Sequence, residues 1–309
     1  MNYFKIYADF LKKFLAVKRP MFVVFDAFNG AGGVVAKEVF ADYPLVQLTT
    51  INDLPDGNFL AHGPNPLLAG ALKELCQKVV RQKADFGVAF DDDGDRALFV
   101  DNLGRLVPAY VIAYLIFQNR RPPFVMDESL FKIFQHLKII DLKNIIPSRT
   151  GYAFIRAAMR QINSSSTAEF SGHYCFEETF QADSASFTFI QVLNGLSAQK
   201  QSLAEFYDSL PAFAVDVENF KFQETMEWLA IRKKFISHFS GKAKEVAERD
   251  GLTFDFGDSW LNVRLSNNEP LLRFTAGAKN SASVAGLLNE SCQVALRNKF
   301  IEASFPQWV

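Results

Sequence analysis

Residues 86–101 read FGVAFDDDGDRALFVD, an acidic loop between two short apolar runs. Apolar runs of five residues bounded by turn-forming residues predict two buried β-strands, at 86–90 and 97–101. In the loop between them, Asp91, Asp93 and Asp95 occupy alternate positions, so their carboxylates can converge on one side. Carboxylate oxygens are the ligands that Mg²⁺ prefers. The loop therefore predicts a divalent-metal site, although a solvated acidic turn would have the same composition.

An EF-hand is the obvious alternative for an acidic loop, and two positions exclude it. Arg96 stands at the sixth position, where the EF-hand needs Gly, and Asn102 stands at the twelfth, where it needs Glu. An arginine beside three carboxylates suits a phosphate-binding or charge-balancing role better.

Outward from this loop, apolar strands alternate with helical patterns. Upstream, the sequence predicts a helix over 3–16, a strand at 22–26, a Gly-rich turn at 30–33, a helix from Val34 and a helix over 67–83. Downstream, it predicts a turn at 102–104, helices at 108–118, 130–137, 151–160 and 184–196, strands at 123–127 and 144–147, and a polar loop at 163–167.

Beyond about residue 214 the pattern changes. A helix is predicted over 225–249, strands at 252–256, 259–265 and 270–276, and a last helix over 281–297. The predicted fold is therefore α/β, with two α/β domains that have mixed sheets, 1–105 and 106–213, and a C-terminal α+β domain, 214–309.

Bulk composition narrows the function. A net charge of -1 argues against nucleic-acid binding, which needs a clustered basic excess. The three cysteines lie far apart, and the apolar stretches are too short for a bilayer, which together predict a cytoplasmic protein without a membrane segment. The Gly-rich turn is not a dinucleotide fingerprint, because Val35 stands where the third glycine is required.

Three loops give the chain a family resemblance. Residues 87–96, GVAFDDDGDR, resemble the metal-binding loop of α-D-phosphohexomutases, usually D-G-D-G-D-R, with Asp92 in place of a Gly. Residues 169–173, EFSGH, are similar to the family's G-E-M-S-G-H loop, in which Glu and Ser bind sugar hydroxyls; Ala168 replaces the leading Gly. Residues 264–270, RLSNNEP, resemble its phosphate-binding loop, R-x-S-[NG]-T-E-P, with Asn268 in place of Thr, although a polar β-turn would suit the same residues.

The resemblance assigns roles residue by residue. It implies Mg²⁺ as cofactor, with Asp91, Asp93 and Asp95 as its ligands. The implied substrate-binding residues are Arg96, Arg149, Glu169, Ser171 and His173, and the implied phosphate-binding residues are Arg264, Ser266, Asn267, Asn268 and Arg273. Arg149 belongs to the stretch SRTG, residues 148–151, which resembles the family's K/R-T-G loop, with Tyr152 replacing a frequent His.

The implied activity is phosphoryl transfer between C1 and C6 of a hexose phosphate (glucose, mannose or a related sugar), and the chain resembles the family's domains II to IV. Its T-A-S-H-N-P-like phosphoserine motif is not found here, so no catalytic residue is assigned and the isolated chain is expected to be inactive. Three explanations stay open: a first domain that is separate or removed upstream, a non-catalytic sugar-phosphate binder or regulatory relative, or a decayed mutase. The implied partners are hexose phosphate and either a first-domain polypeptide or a second copy of the chain, joined through an apolar face of the first domain.

Overall fold

The computed structural model of the chain describes residues 2–59, 61–221, 227–267 and 269–301. By its internal contacts the chain divides into two compact units. The first unit holds residues 1–125 and 156–210, and the second holds 126–155 and 211–309. The predicted three-domain limits at 105 and 213 stay predictions beside this division.

The first unit carries the acidic loop. Its elements are α1 Tyr3–Lys12, β1 Met21–Asp26, α2 Gly32–Phe40, β2 Val46–Ile51, α3 Lys73–Gln82, β3 Phe86–Phe90, β4 Ala97–Asp101, β5 Leu106–Val107 and α4 Ala109–Phe117. Next along the chain come β6 Phe124–Asp127, α5 Glu128–Leu137, a 3-10 turn at Leu142–Asn144, β7 Ile145–Ser148 and α6 Tyr152–Ile162, whose residues 152–155 still belong to the second unit. The first unit then continues with β8 Ser166–Ala168, α7 Ala185–Ser197 and α8 Leu203–Asp208.

Five strands of the first unit form a mixed sheet in the order β2-β1-β3-β4-β5. β1 runs parallel to both β2 and β3, while β3, β4 and β5 are antiparallel. Every residue of β3 and β4 is buried, which explains why both strands read as continuous apolar runs rather than as alternating ones. The chain visits β2 on one side of β1 and β3 on the other, so the sheet has a topological switch point between the carboxyl ends of β1 and β3.

The second unit ends in an antiparallel sheet. Its remaining elements are β9 Ala214–Lys221, α9 Trp228–Phe239, β10 Glu245–Ala247, β11 Leu252–Asp255, β12 Ser259–Leu265, β13 Leu271–Ala278 and α10 Ser281–Arg297. The strand order is β10-β11-β12-β13-β9. A buried apolar cluster joins both helices to the sheet; it includes Phe235 on α9, Phe274 on β13 and Leu288 on α10. The α/β and α+β fold classes predicted from sequence are confirmed.

Several predicted elements need correction. The helix predicted over 225–249 ends at Phe239, because Gly241 follows and residues 245–247 pair with β11 as a strand instead; residues 225–226 lie outside the described residues. The helix predicted over 67–83 begins at Lys73, since Gly70 just before it has a left-handed φ of 81°. The polar loop at 163–167 contains the start of β8, and β2, β9 and α8 were not predicted at all.

The surface of α1 fits the expected apolar face. Tyr3, Phe4 and Ile6 are 73%, 49% and 52% exposed, although they lie on a helix whose Ala8 and Leu11 are fully buried. What covers them stays a prediction. None of the helices in the described part of the chain has the length and apolar composition needed to cross a bilayer.

Candidate functional site

The acidic loop lies in the tight hairpin between β3 and β4, where Phe90 pairs with Ala97. Asp91, Asp93 and Asp95 each offer a carboxylate oxygen, and these oxygens lie within 4.8 Å of one another. Asp91 is buried and Asp93 is exposed, so the cluster has one anchored side and one open to solvent. Three converging oxygen donors with an open side fit a hard divalent cation that keeps its water ligands, as Mg²⁺ does.

Asp91 is the anchor of the loop. Its Oδ1 accepts hydrogen bonds from the backbone N–H groups of Asp95 (3.1 Å) and Arg96 (3.0 Å), and its Oδ2 pairs with Nε of Arg96. Burial raises the pKa of Asp91 to about 6 in spite of these donors. The pKa of Asp93 is also raised, by burial and by the charges of Asp95 and Asp92. The loop therefore concentrates negative charge that a bound cation would neutralise.

The loop is backed by the turn that follows β1, at the topological switch point. The backbone N–H of Ala31 donates to the carbonyl oxygen of Asp92 (3.2 Å), and a Cβ at Gly30 would lie 2.4 Å from the same oxygen. The Gly-rich turn predicted from sequence therefore has a structural role, because Gly30 permits the close approach of two loops. Ligands of open α/β sheets bind at such carboxyl ends.

The EFSGH loop lies directly beside the acidic loop. The N–H of Ala97 donates to the carbonyl oxygen of Gly172 (3.0 Å), and Arg96 forms an isolated antiparallel bridge with His173. Nε2 of His173 lies 3.2 Å from Oδ1 of Asp95, and its Nδ1 lies 2.7 Å from the hydroxyl of Ser171. Residues 91–96 and 169–173, some 70 positions apart, thus form one side-chain cluster in the first unit.

Within this cluster, Asp95 and His173 stabilise each other's charged forms. Burial would lower the pKa of His173, but its hydrogen bond to the Asp95 carboxylate, as donor, and the charges of Glu169 and Asp95 outweigh this effect and raise that pKa. Burial would raise the pKa of Asp95, but His173 and Arg96 hold it low, at about 2. Glu169 is 3% exposed, in a tight turn in which its carbonyl oxygen accepts from the N–H of Gly172 (3.0 Å).

The predicted phosphate-binding residues lie in the second unit, on the β12–β13 hairpin. Arg264 and Arg273 are directly opposed across the two strands. Like charges in that position repel, and desolvation together with the charge of Arg264 lowers the pKa of Arg273. Arg273 is held by Asn219 on β9, whose side-chain oxygen accepts from its Nε (2.7 Å). Two adjacent guanidinium groups with this repulsion are an arrangement that a phosphate stabilises.

Of the other predicted residues of this loop, Ser266 and Asn267 form hydrogen bonds. The N–H of Ser266 donates to the carbonyl oxygen of Leu271 (2.8 Å), which closes the hairpin. Nδ2 of Asn267 donates to the carbonyl oxygen of Thr150 (3.0 Å), so that amide is engaged outside its own loop. Asn268 lies outside the described residues.

Arg149 lies in the turn after β7, in the second unit. Its guanidinium stacks over the ring of Phe154, 4.3 Å from the centroid. Asn267 contacts the next residue, Thr150, so the turn that carries Arg149 adjoins the β12–β13 hairpin. Sequence reasoning grouped Arg149 with the sugar-binding residues of 169–173, which lie in the other unit.

Two residues at the hairpin were missed from sequence, Asp250 and Asn219. Asp250 is buried, accepts hydrogen bonds from Thr150 and lies 3.7 Å from Nε of Arg264. A single Asp and a single Asn form no recognisable motif in the sequence. Their partners lie 100 and 54 residues away, respectively.

Comparison with known proteins identifies the family of the chain. Three successive regions match family models: residues 5–104 match phosphoglucomutase/phosphomannomutase alpha/beta/alpha domain II, residues 133–213 match alpha/beta/alpha domain III, and residues 215–293 match the C-terminal domain. The fold and these three matches define a multidomain mutase-family protein with α/β domains and a C-terminal domain. The chain belongs to the phosphoglucomutase/phosphomannomutase family, of which it carries domains II, III and IV.

Individual relatives cover most of the chain. It is 29% identical to a "Phosphohexose mutases" protein of Xanthomonas campestris over 273 residues, which is 86% of the chain and 60% of that relative. It is also 29% identical to the phosphomannomutase of Escherichia coli K12 over 286 residues, 88% of the chain and 62% of that relative. The chain thus spans about 60% of the length of these curated relatives.

Solved structures share the fold. A phosphoglucomutase/phosphomannomutase family protein of Burkholderia thailandensis superposes with a TM-score of 0.80 at 22% identity, over 98% of this chain and 66% of that one. An N-acetylphosphoglucosamine mutase of Aspergillus fumigatus, solved with GlcNAc-6P and magnesium, has a TM-score of 0.63 at 16% identity, over 94% of this chain and 69% of that one.

Proposed function

We propose that this chain binds a hexose phosphate together with Mg²⁺, as the recognition part of a phosphohexomutase that moves a phosphoryl group between C1 and C6. The observation that carries the proposal is the cluster around Asp95: the same carboxylate belongs to the three-oxygen metal cluster and contacts His173 of the EFSGH loop. A metal ion and a sugar held there would be neighbours.

Each set of residues has a distinct task in this proposal. Asp91, Asp93 and Asp95 would hold Mg²⁺, which when bound neutralises charge on a transferring phosphoryl group. The carboxylate of Glu169 and the hydroxyl of Ser171 suit recognition of adjacent sugar hydroxyls, one as an acceptor and the other as donor or acceptor. Arg96 balances the acidic loop beside them through its pairing with Asp91.

In the second unit, Arg264 and Arg273 would bind a phosphate bidentately, with Arg149, Ser266, Asn267 and Asn268 as further candidates. Binding there relieves the repulsion between the two opposed guanidinium groups. Relatives named phosphomannomutase favour mannose phosphate among the substrates considered.

Phosphoryl transfer also needs a nucleophile that gives up and recovers the group. The residues proposed above supply ligands and hydrogen bonds, which give binding without turnover. We propose that the phosphoserine comes from outside residues 1–309, in a segment or polypeptide that completes the enzyme. The cytoplasmic location stays a prediction.

The test measures binding and turnover on the same sample. Mannose 6-phosphate and glucose 6-phosphate are titrated into the chain by calorimetry, with and without Mg²⁺, and mutase activity is assayed from the 1-phosphates with a hexose bisphosphate primer. We expect binding without turnover. Glu169→Gln and Arg264→Gln should each weaken binding about tenfold or more, as expected for loss of a charged hydrogen-bonding group.

Matched controls use exposed residues of the same units. Glu74→Gln on α3 and Lys279→Gln after β13 remove the same charges from exposed positions and should leave binding unchanged. Absence of hexose phosphate binding would refute the proposal. Turnover by the chain alone, abolished by Asp93→Ala, would refute the external nucleophile, and activity restored by adding a serine-bearing first domain would distinguish a split mutase from a non-catalytic binder.

A further inference from the structure

The turn after β7 is fastened to the phosphate-binding hairpin by one buried carboxylate. Oδ2 of Asp250 accepts a hydrogen bond from the hydroxyl of Thr150 (2.7 Å) and a longer one from its backbone N–H (3.2 Å). The same oxygen lies 3.7 Å from Nε of Arg264. Asp250 therefore contacts the turn and one arginine of the opposed pair at once.

A second tie joins the same two loops. Nδ2 of Asn267 donates to the carbonyl oxygen of Thr150 (3.0 Å). The N–H and the hydroxyl of Thr150 bond to Asp250, so all three of these groups have partners on Asp250 or Asn267. Gly151 has a φ of 120°, and a Cβ there would lie 3.1 Å from Nδ2 of Asn267. The positive φ favours glycine at this position, and the short distance shows that the turn packs closely against Asn267.

The backbone around Asp250 is itself held in place. Its carbonyl oxygen accepts from Nδ2 of Asn262, a buried side chain on β12 (2.8 Å). Gly251 has a φ of 72°, and a Cβ there would lie 2.3 Å from the carbonyl oxygen of Val263 and 2.6 Å from Cβ of Arg264. The carboxylate consequently has a fixed position relative to Arg264.

Charge explains why a carboxylate is needed at this point. Arg264 and Arg273 oppose each other across the hairpin, and Arg264 is only 8% exposed, so water screens their repulsion poorly. Asp250 attracts both guanidinium groups. One carboxylate against two cations leaves a net positive charge for an anionic ligand while limiting the repulsion.

We propose that Asp250 is a positioning residue for phosphate recognition: it holds Arg264 in place and fixes the Arg149–Thr150–Gly151 turn against the hairpin, so that both loops are ordered before the phosphate binds. The inference rests on the proposed function of the second unit as a phosphate-binding unit. Asp250 would thus favour phosphate binding although its own negative charge repels the phosphate.

Because Asp250 repels the phosphate, the direction in which Asp250→Asn changes phosphate affinity shows whether Asp250 positions the site or is a bystander. Asp250→Asn removes a negative charge near the phosphate, so a carboxylate that were a bystander would give tighter binding when neutralised. A positioning carboxylate gives weaker binding instead, by about tenfold, because the charge-assisted contacts to Thr150 and Arg264 are lost. Thr150→Val should also weaken binding, and Thr150→Ser, which keeps the hydroxyl, should restore it.

The experiment titrates mannose 6-phosphate and glucose 6-phosphate into the full chain and these variants, with Ser291→Ala on α10 as a control for loss of a buried hydroxyl elsewhere in the unit. Hydrogen exchange of residues 148–155 and 264–267 is measured alongside, and should rise in Asp250→Asn but not in Ser291→Ala. If the unsubstituted chain binds neither sugar phosphate, the proposed function fails and this inference fails with it. If it binds and Asp250→Asn binds equally or more tightly, or exchanges no faster in both segments, only this inference is overturned.

Discussion

The Asp95 side chain takes part in two sets of contacts. It belongs to the carboxylate cluster of the acidic loop, and its Oδ1 also lies within hydrogen-bonding distance of His173. Its neighbour Asp92 differs: it stands where the family usually has Gly, and its side chain is not part of the cluster. In the loop as folded, the extra charge of Asp92 leaves the three converging oxygens intact, as the alternation of positions predicted.

Substitutions at Asp93 and Asp92 distinguish a proposed Mg²⁺ ligand from an adjacent carboxylate outside the cluster. Asp93→Asn should reduce Mg²⁺ affinity at least tenfold, since loss of residues that merely orient metal ligands already costs about 10–100-fold. Asp92→Asn removes the same charge from the adjacent position, outside the cluster, and should change Mg²⁺ affinity much less. Calorimetric titration with Mg²⁺ measures both. Equal losses in the two variants would show that the loop attracts the cation only through its total charge.

At the scale of elements, close approach between loops explains features that helix and strand patterns do not. The turn after β1 supports the acidic loop through Gly30 and Ala31, in the same unit. In the second unit, α5 is joined to the C-terminal sheet by buried Lys132, whose Nζ lies 3.1 Å from Asp255 at the end of β11. This contact explains why residues 126–155 belong to the same compact unit as the C-terminal domain.

Gly30→Ala tests the support of the acidic loop. The added Cβ would meet the backbone of Asp92, so the two loops must separate, and we expect a loss of about 1–3 kcal/mol in unfolding free energy. Mg²⁺ affinity should fall as well. Gly57→Ala is the control, because its Cβ would meet no atom within 4 Å. Urea unfolding and Mg²⁺ titration check both effects, and a Gly30→Ala variant as stable as Gly57→Ala would contradict the packing described.

Lys132→Met tests the buried ion pair. Removing one partner leaves Asp255 buried without its main counter-charge, and we expect a loss of about 3–5 kcal/mol in unfolding free energy at neutral pH. Lys143→Met is the control: Lys143 pairs with Asp141, but its side chain is 79% exposed, so the change should be small. Equal effects of the two substitutions on urea unfolding would show that burial adds nothing.

The same pair predicts a pH dependence. Burial raises the pKa of Asp255, but the N–H of Gly257 and the charge of Lys132 outweigh it and hold the pKa below its ordinary value of 3.8. A carboxylate with a lowered pKa stabilises the fold at pH above about 3.8, and that stabilisation is lost as pH falls through the folded-state pKa. The original chain should therefore lose stability below this pH, and Lys132→Met should lose less over the same range. An unchanged acid limb in urea unfolding would argue against the ion pair.

In the whole molecule, the residues proposed for metal, sugar and phosphate binding are divided between the two units. The carboxylate cluster and the EFSGH loop lie in the first, while the opposed arginines, Asp250 and the turn after β7 lie in the second. The residues proposed to bind metal and those proposed to bind phosphate therefore make separate sets of contacts, each within its own unit. A chain that spans about 60% of its curated relatives can contain both sets.

Hydrogen exchange can test this division. Mg²⁺ alone should protect peptides around residues 91–96 in the first unit and leave residues 264–273 unchanged, because binding stabilises the contacts of its own site. Inorganic phosphate alone should protect residues 264–273 and not 91–96. Asp93→Asn should abolish the first effect only, and Arg264→Gln the second only. Protection of both segments by either ion would show that the two sites are not separate.

Features that depend on neighbouring residues could be predicted before the structure was known. Three aspartates within five positions predicted the converging oxygens, and the apolar runs on either side predicted the hairpin that presents them. The helix over 281–297 and the strand over 259–265 followed from periodicity, and the three loop motifs were sufficient to identify the family.

Contacts between residues far apart in the chain could be identified only from the folded protein. Thr150 and Asp250 are 100 positions apart, and Lys132 and Asp255 are 123 apart, so no local pattern pairs them. The edge strands β2 and β9 were missed because β2 has only its two end residues buried and β9 only two of eight, which leaves little periodicity to detect. The physical reason is the same in each case: periodicity records which side of an element is buried, whereas the partner of a buried charge depends on how the elements pack.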